Sequence, residues 1–416
     1  MMKNIVIVGG GISGLFSAFY LTKLNYKITI IDNSGFSYGC SHGNAGLIVP
    51  SHIIPLAAPG VIPKTIKWMF NSHSPFSFHP KLNRAFISWC LNFIKNSNKL
   101  HVNRSIIPIR DISFLSSKLY QELSEKFENS FELNSKGLLM LYKNKKTAEE
   151  EINLTQKAEQ YGIKTKILSR VDLKHLDPNC EYDVLGGVHY LSDSHLTPNI
   201  LMQNLLQYLE SQGVKLISGE TISDIKVIDN KILSVSSNLN KYSADAFLFT
   251  SGVWSSKLLK KIDFNIPLMA GKGYSFTVKA KDYFPKIPSI LVDARVAVTP
   301  MGQKLRIAGT MEIDSINQKI RLNRIKGMVN SFNKYYPKLD INIPKKESIW
   351  YGLRPCSPDG LPYIGKGNSY KNLFIATGHA MLGLSLGPAT GKLISEIISG
   401  NNTSIDTSAF NIERYN

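Results

Sequence analysis

The sequence predicts an α/β domain on a parallel sheet, interrupted by an inserted α+β domain built on a mainly antiparallel sheet. Three observations carry that expectation. The opening residues read as strand, glycine turn, helix and strand; an apolar strand recurs late in the chain ahead of a second glycine-punctuated turn; and the region between them holds short β-type runs broken by Gly and Pro.

In the opening unit Ile5 to Val8 is an apolar strand, Gly9-Gly10-Gly11-Ile12-Ser13-Gly14 a turn, Leu15 to Leu24 a helix, and Lys27 to Ile31 a second strand ending at Asp32. That order fits a dinucleotide. Gly9 permits the tight turn, Gly11 lets the backbone approach a pyrophosphate, and Gly14 lets helix and strand pack, while the helix N-terminus offers N–H groups and a positive dipole end. Asp32 follows at close to the spacing of about 20 residues at which a carboxylate takes the ribose hydroxyls. Gly39 to Pro63 is a loop rich in Gly, Ser, His and Pro, and ordered loops of that length are usually functional. Helical periodicity follows over Lys81 to Asn98, Ile112 to Phe127 and Thr147 to Tyr161, with Gly137 to Tyr142 a strand and Asp177 to His195 turn-rich. Thr197-Pro198 opens a helix that Gly213 stops, Val214 to Ser218 is a strand, Ile222 to Ser236 a hairpin about Asp229-Asn230, and Ala246 to Thr250 an apolar strand running into Ser251-Gly252. Short β runs from Ile266 to Ala308 precede a helix from Ile320 to Tyr335. Leu373 to Ala376 is then an apolar strand, Gly378 to Gly387 a turn and Pro388 to Ser399 a helix.

At 416 residues the chain exceeds what one core usually covers, so two domains are expected. Hydrophobic content of 43% suits a globular protein, and no apolar run reaches the span of about 20 residues that crosses a bilayer. The chain opens almost directly on its first strand, so no signal peptide is expected. Four well-separated cysteines form no Cys-x-x-Cys pair, which fits a reducing cytoplasm and no zinc site; the nine histidines likewise show no ligand spacing, and no metal is expected. The net charge of +18 accompanies Lys, Asn and Ile throughout, so it reads as compositional bias and no nucleic-acid partner is expected. Its distribution is more telling: no acidic residue lies between Asp32 and Asp111, while Lys64, Lys67, Lys81, Arg84, Lys95, Lys99, Arg104 and Arg110 are interleaved with Trp68, Phe70, Phe76, Phe78, Phe86, Trp89 and Phe93. Such a segment can rest on a membrane surface; the plainer reading puts the aromatics in the core and the cations in water.

Four stretches then come in one order: Ile5 to Asp32; Cys40-Ser41-His42-Gly43-Asn44-Ala45-Gly46; Gly352-Leu353-Arg354-Pro355-Cys356-Ser357-Pro358-Asp359-Gly360-Leu361-Pro362; and Thr377-Gly378-His379-Ala380-Met381-Leu382-Gly383-Leu384. Together, over nearly the whole chain, they resemble the FAD-dependent D-amino-acid oxidase and dehydrogenase superfamily. Bacterial D-amino-acid and D-hydroxyproline dehydrogenases are nearest in look, glycine and sarcosine oxidases more distant. The resemblance implies a Rossmann-like FAD-binding domain, with Gly9, Gly11, Ser13 and Gly14 at the pyrophosphate, Asp32 at the adenosine ribose, and Ile12 and Asn33 as further cofactor-binding residues. Ser41, His42, Gly43, Asn44, Ala45, Gly46 and Leu47 would pass alongside the flavin. Gly252 and Trp254 would approach it where the Ala246 strand returns, and Gly378, Met381, Leu382, Gly383 and Leu384 would lie at the pyrimidine edge, with the following helix aiming its positive end there.

The resemblance also gives Arg354 the substrate carboxylate, which a planar guanidinium can hold bidentately. Its structural alternative is pairing with Asp359. Tyr274 either lines the pocket or packs in the core, and His52 and His379 are pocket candidates against the commoner structural role of a lone His. The implied division is FAD-binding parts at 1–60, 193–256 and 350–400, substrate-domain parts at 61–192 and 257–349, and a tail at 401–416. Asp32 replaces the Glu more usual in the family, and Asn25 a common Gly. The Tyr near Ala297 and Arg near Met381 of the glycine oxidase pattern are absent, which favours the dehydrogenase branch. The implied activity is dehydrogenation of a D-amino acid or of a cyclic imino acid such as D-proline, in the cytoplasm or peripherally on the inner membrane, with electrons passed to a quinone pool. An oxygen-using oxidase of the glycine or sarcosine type and a non-catalytic flavoprotein subunit are the alternatives.

Overall fold

A computed structural model describes residues 3–63, 75–79, 83–280, 283–314 and 316–415. Lys64, Lys67, Trp68, Phe70 and Lys81 lie outside the described residues.

The first sheet has six strands in the order Tyr363–Lys366, Leu373–Thr377, Ala246–Phe249, Asn4–Val8, Lys27–Asp32 and Lys215–Ser218. All neighbours are parallel except the first pair. Alternation explains the unbroken apolar run of the opening strand: Ile5 and Ile7 face one core while Val6 and Val8 face the other, so both faces are buried. On the first face the helices Ile12–Thr22 and Gly387–Ser399 cross so closely that a Cβ at Gly391 would stand 2.4 Å from the Phe16 carbonyl carbon. Asn25, where the family commonly has Gly, takes φ +59°, a left-handed conformation that Asn tolerates.

Among the described residues nine strands form the second sheet. Eight run in the order Trp350–Cys356, Met269–Lys279, Lys304–Asp314, Val296–Met301, Ser289–Leu291, Leu138–Tyr142, Gly186–Tyr190 and Thr165–Ser169, and Phe76–Phe78 joins Lys304–Asp314. Pairing is antiparallel except for Ser289–Leu291 on Leu138–Tyr142 and for Phe76–Phe78. The helix Leu322–Tyr335 packs Ile325, Met328, Val329 and Phe332 under it.

Three expectations are corrected. Trp350–Cys356, placed with the nucleotide-binding part, pairs with Met269–Lys279 in the second sheet, in register Arg354 to Gly271. The helix expected from Ile112 begins at Lys99 and runs to Lys126 through Pro108, because Val102, Ile106, Ile109 and Ile112 bury one face and outweigh the cost of about 3 kcal/mol of an interior proline. That helix belongs to the first-sheet core, where Tyr120 and Ser116 donate to the carbonyls of Leu384 and Ser385. Within the supposed turn-rich stretch, Gly186–Tyr190 is a fully buried strand; a Cβ at Gly186 would stand 2.6 Å from the Leu168 carbonyl oxygen.

Candidate functional site

Parallel strands converge where their order reverses, between Asn4–Val8 and Ala246–Phe249, and a ligand crevice belongs at their carboxyl ends. A cavity of about 2030 Å³ opens there and continues onto the second sheet. Small-molecule pockets are typically about 300–1,000 Å³, so this one has room for a dinucleotide and a substrate together.

Gly9, at φ +113°, lies so close to the next strand that a Cβ would meet Ser251 N at 2.7 Å. Gly11 differs: a Cβ there would meet only Ser41 Oγ, at 3.8 Å, so its backbone faces open space. Gly11 caps the helix Ile12–Thr22 with no side chain of its own, and Ser41 Oγ accepts the Ile12 N–H at 3.1 Å. Asp32 closes the edge of this cradle, its Oδ2 accepting the Gly10 N–H at 2.8 Å and its Oδ1 the Ser34 N–H and hydroxyl. An open glycine at a helix start, with a carboxylate at the end of the second strand, fits the pyrophosphate and ribose of FAD.

Of the residues expected at the cofactor, Ile12, Ser13, Asn33, Ser41, Gly43, Asn44, Ala45, Leu47, Gly252, Trp254, Met381, Leu382, Gly383 and Leu384 join Gly9, Gly11 and Asp32 on the cavity wall. Gly14, His42, Gly46 and Gly378 do not. Gly14 has the packing role expected of it, with Gly9 O 2.1 Å from its would-be Cβ. His42 and Asn44 give their carbonyls to the Arg306 guanidinium. Gly46 and Gly378 are required by φ values of +78° and +84° against Leu196 and Tyr363. The helix Gly387–Ser399 packs its first residue on Ile12 and Phe16, so the backbone facing the cavity is the preceding turn at Ala380–Leu382.

Arg354 lies on the part of the cavity wall formed by the second sheet. Its guanidinium is pressed flat on Gly273, where a Cβ would stand 2.1 Å from Nη1, and Nη1 donates to the Thr310 carbonyl at 2.7 Å. Thr310 is held at φ +65°, a strained conformation for a β-branched residue and of a kind that gathers at functional sites. The pairing with Asp359 does not occur. Asp359 instead binds Arg414, with Nε to Oδ2 at 2.6 Å and Nη2 to Oδ1 at 3.0 Å, and no ion pair among the described residues engages Arg354. Burial alone would raise the Asp359 pKa, but Arg414 outweighs it and holds the carboxyl below the usual range. That stabilisation is complete above the ordinary carboxylate pKa and is lost as pH falls through the depressed one. Arg414→Ala is expected to cost about 3–5 kcal/mol, the usual penalty for orphaning a buried charge, with the deficit shrinking in acid; thermal unfolding across pH checks this.

Tyr274 borders the cavity yet is fully buried, its hydroxyl donating to Glu312 at 3.1 Å and accepting from Arg321 N–H at 3.2 Å. Glu312 in turn sits among Lys272, Arg321 and Arg324, so Tyr274 belongs to a structural network beneath the sheet. His379 also borders the cavity, but its Nε2 bonds Thr390 Oγ1 at 2.9 Å and burial pushes its pKa down to about 4. His52 stays on the cavity wall, kept neutral by burial and by Arg295, with its pKa near about 4. Sequence reasoning missed Ser51, Arg295, Thr310 and Trp350, all on that wall. For Trp350 the glycines were the signal, because its ring fills the space a Cβ would take at Gly43 and at Gly352.

One continuous space for a dinucleotide and a small acid, shared by a parallel and an antiparallel sheet, defines a nucleotide-dependent oxidoreductase of two-domain plan. A model of the FAD dependent oxidoreductase family matches residues 4–397, and the chain belongs to that family, with FAD as its cofactor. It is similar to the D-amino acid dehydrogenase of Helicobacter pylori, 32% identical over 95% of both chains, and to that of Neisseria meningitidis serogroup C, 28% identical over 99% of both. Among solved structures it is similar to glycine oxidase from Geobacillus kaustophilus, with a TM-score of 0.80 over 100% of both chains at 19% identity, a likeness of fold.

Proposed function

We propose that this chain dehydrogenates a D-amino acid or a cyclic imino acid such as D-proline or D-hydroxyproline. The observation that carries the reading is Arg354, a guanidinium on the cavity wall whose described contact is to a backbone carbonyl and not to an acid. It suits a substrate carboxylate, and the named relatives support the D-amino acid class. FAD supplies the hydride acceptor. Arg354 would fix which face of the substrate Cα is presented, Gly273 and the Thr310 carbonyl would hold the guanidinium in place, and His52 would meet the amine as a neutral group. Loss of hydride from a neutral amine leaves an iminium ion, which water hydrolyses when it is not cyclic.

Anaerobic mixing with D-amino acids, D-proline, D-hydroxyproline and sarcosine tests this reading. Bleaching of the flavin band by a D-amino or cyclic imino acid is expected, with slow return of colour in air. Rapid return would make the protein an oxidase, and no bleaching by any of them would sink the reading.

The helix Arg84–Asn96 supports a membrane-bound acceptor. Phe86 and Trp89 are buried against Met311, Ile313 and Cys356, so those aromatics are core, as the plainer sequence reading had it. The opposite face is aliphatic and bare: Ile87, Leu91 and Ile94 are 47%, 63% and 56% exposed at helical spacing, beside the exposed cations Arg84, Lys95, Lys99 and Arg104. An apolar stripe rimmed by cations fits an anionic bilayer, where the quinone pool lies. Leu91→Glu with Ile94→Glu is expected to abolish sedimentation with anionic liposomes while leaving flavin reduction unchanged. Equal sedimentation of the variant would remove the docking assignment.

A further inference from the structure

Asp193, Ser51 and His52 form a hydrogen-bonded row of which the mechanism above uses only the His52 end. Asp193 is completely buried. Its Oδ1 accepts the Ser51 N–H at 3.1 Å and its Oδ2 the Ser51 hydroxyl at 2.5 Å. Ser51 Oγ lies 3.0 Å from His52 Nδ1, both residues are on the cavity wall, and His52 Nε2 has no protein partner among the described residues. No ion pair among the described residues includes Asp193. A buried carboxylate without a cation, one hydroxyl away from a cavity histidine, calls for a functional explanation. The groups that face the row are Tyr190, which feels both Asp193 and Glu151, and Arg295 beside His52.

We propose that the row is a proton relay that carries the substrate's ammonium proton from the cavity through His52 and Ser51 to Asp193. The relay rests on the amine-oxidation reading, because an amino acid arrives as an ammonium and only the neutral amine can drive hydride departure. In it the ammonium N–H breaks as a His52 Nε2–H forms; the Nδ1 proton passes to Ser51 Oγ; and the Ser51 hydroxyl proton passes to Asp193 Oδ2. Each heavy atom keeps its electron pair, and ammonium plus carboxylate become amine plus carboxylic acid. His52 ends as neutral as it began, which suits a ring that burial and Arg295 together keep from charging. Burial raises Asp193 to about 7 against the opposing bonds from Ser51, so it can take and release the proton at neutral pH.

The row has two states that can be read without turnover. With Asp193 ionised, Ser51 donates to it and accepts from His52 Nδ1–H; with Asp193 protonated, Ser51 donates to Nδ1 and the ring proton sits on Nε2. Nitrogen NMR of the histidine-labelled holoenzyme, with His52 assigned by its loss in His52→Gln, is expected to show Nε2–H giving way to Nδ1–H as pH rises through about 7. In Asp193→Asn one tautomer should persist from about pH 6 to about pH 8. Stopped-flow reduction at neutral pH should slow by about 10- to 100-fold in Asp193→Asn and in Ser51→Ala, with substrate Kd unchanged, and recover as pH approaches the amine's own pKa. A single His52 tautomer across that range in the unmodified protein, or unaltered reduction rates in both variants, overturns the relay. Bleaching with a fixed tautomer defeats the relay alone, whereas a tautomer switch without bleaching by any amine defeats the amine-oxidation reading and the substrate end of the relay with it.

Discussion

Arg354→Leu is expected to raise KM for a D-amino acid about 30- to 700-fold, the equivalent of losing roughly 2–4 kcal/mol of charge-assisted hydrogen bonding to a carboxylate, while the protein stays yellow. The structure separates the two effects. Arg354 stands on the second sheet against Gly273 and Thr310, whereas the nucleotide cradle is built from Gly9 to Ser13 and Asp32 on the first. Arg354→Lys should recover only part of the loss, since an ammonium lacks the planar fork. An unchanged KM in Arg354→Leu would remove the carboxylate from this residue. Loss of colour would show that Arg354 holds the fold or the cofactor instead.

Gly11→Val is expected to yield a folded but colourless protein, with FAD binding weakened on the order of 100-fold or more, or about 3 kcal/mol. The local geometry makes this a test of cofactor contact and not of packing. Gly11 has φ −71° and ψ 178°, which any residue adopts, and nothing stands closer than 3.8 Å to its would-be Cβ, so the new side chain strains nothing and fills only the opening. Gly14→Val makes the contrasting control: its Cβ would meet the Gly9 carbonyl oxygen at 2.1 Å, and that variant should lose the fold itself. If Gly11→Val binds FAD as tightly as the parent and is equally yellow, the cradle does not approach the pyrophosphate.

Legibility in the sequence followed how local the cause was. The opening unit reads clearly because its strand is buried on both faces and its glycines have backbone reasons within a few residues. Arg354 is singled out in the sequence by its neighbours in the motif, and the Asp359 alternative falls only because Arg414, distant in sequence, occupies that carboxylate. Gly186–Tyr190 was hidden because paired glycines read as a turn until the strands on both sides are seen to leave no room for a Cβ. The Lys99–Lys126 helix was hidden by Pro108, whose penalty is local while the compensating burial of Val102, Ile106 and Ile109 is tertiary. Ser51 and Asp193 lie 142 residues apart and meet across two elements, so no spacing rule could have paired them.

The helix Lys99–Lys126 also bears on the proposed membrane contact through its length. At about 1.5 Å per residue its 28 residues make a rod about 42 Å long. It begins just after the aliphatic face of Arg84–Asn96, and further along Tyr120 and Ser116 hold the Leu384–Ser385 turn at the cofactor end of the cavity. With that face resting on lipid, the offset between the bilayer and the flavin turn is set by one rigid rod and not by a loop. Electrons bound for a membrane acceptor would then leave from a constant height.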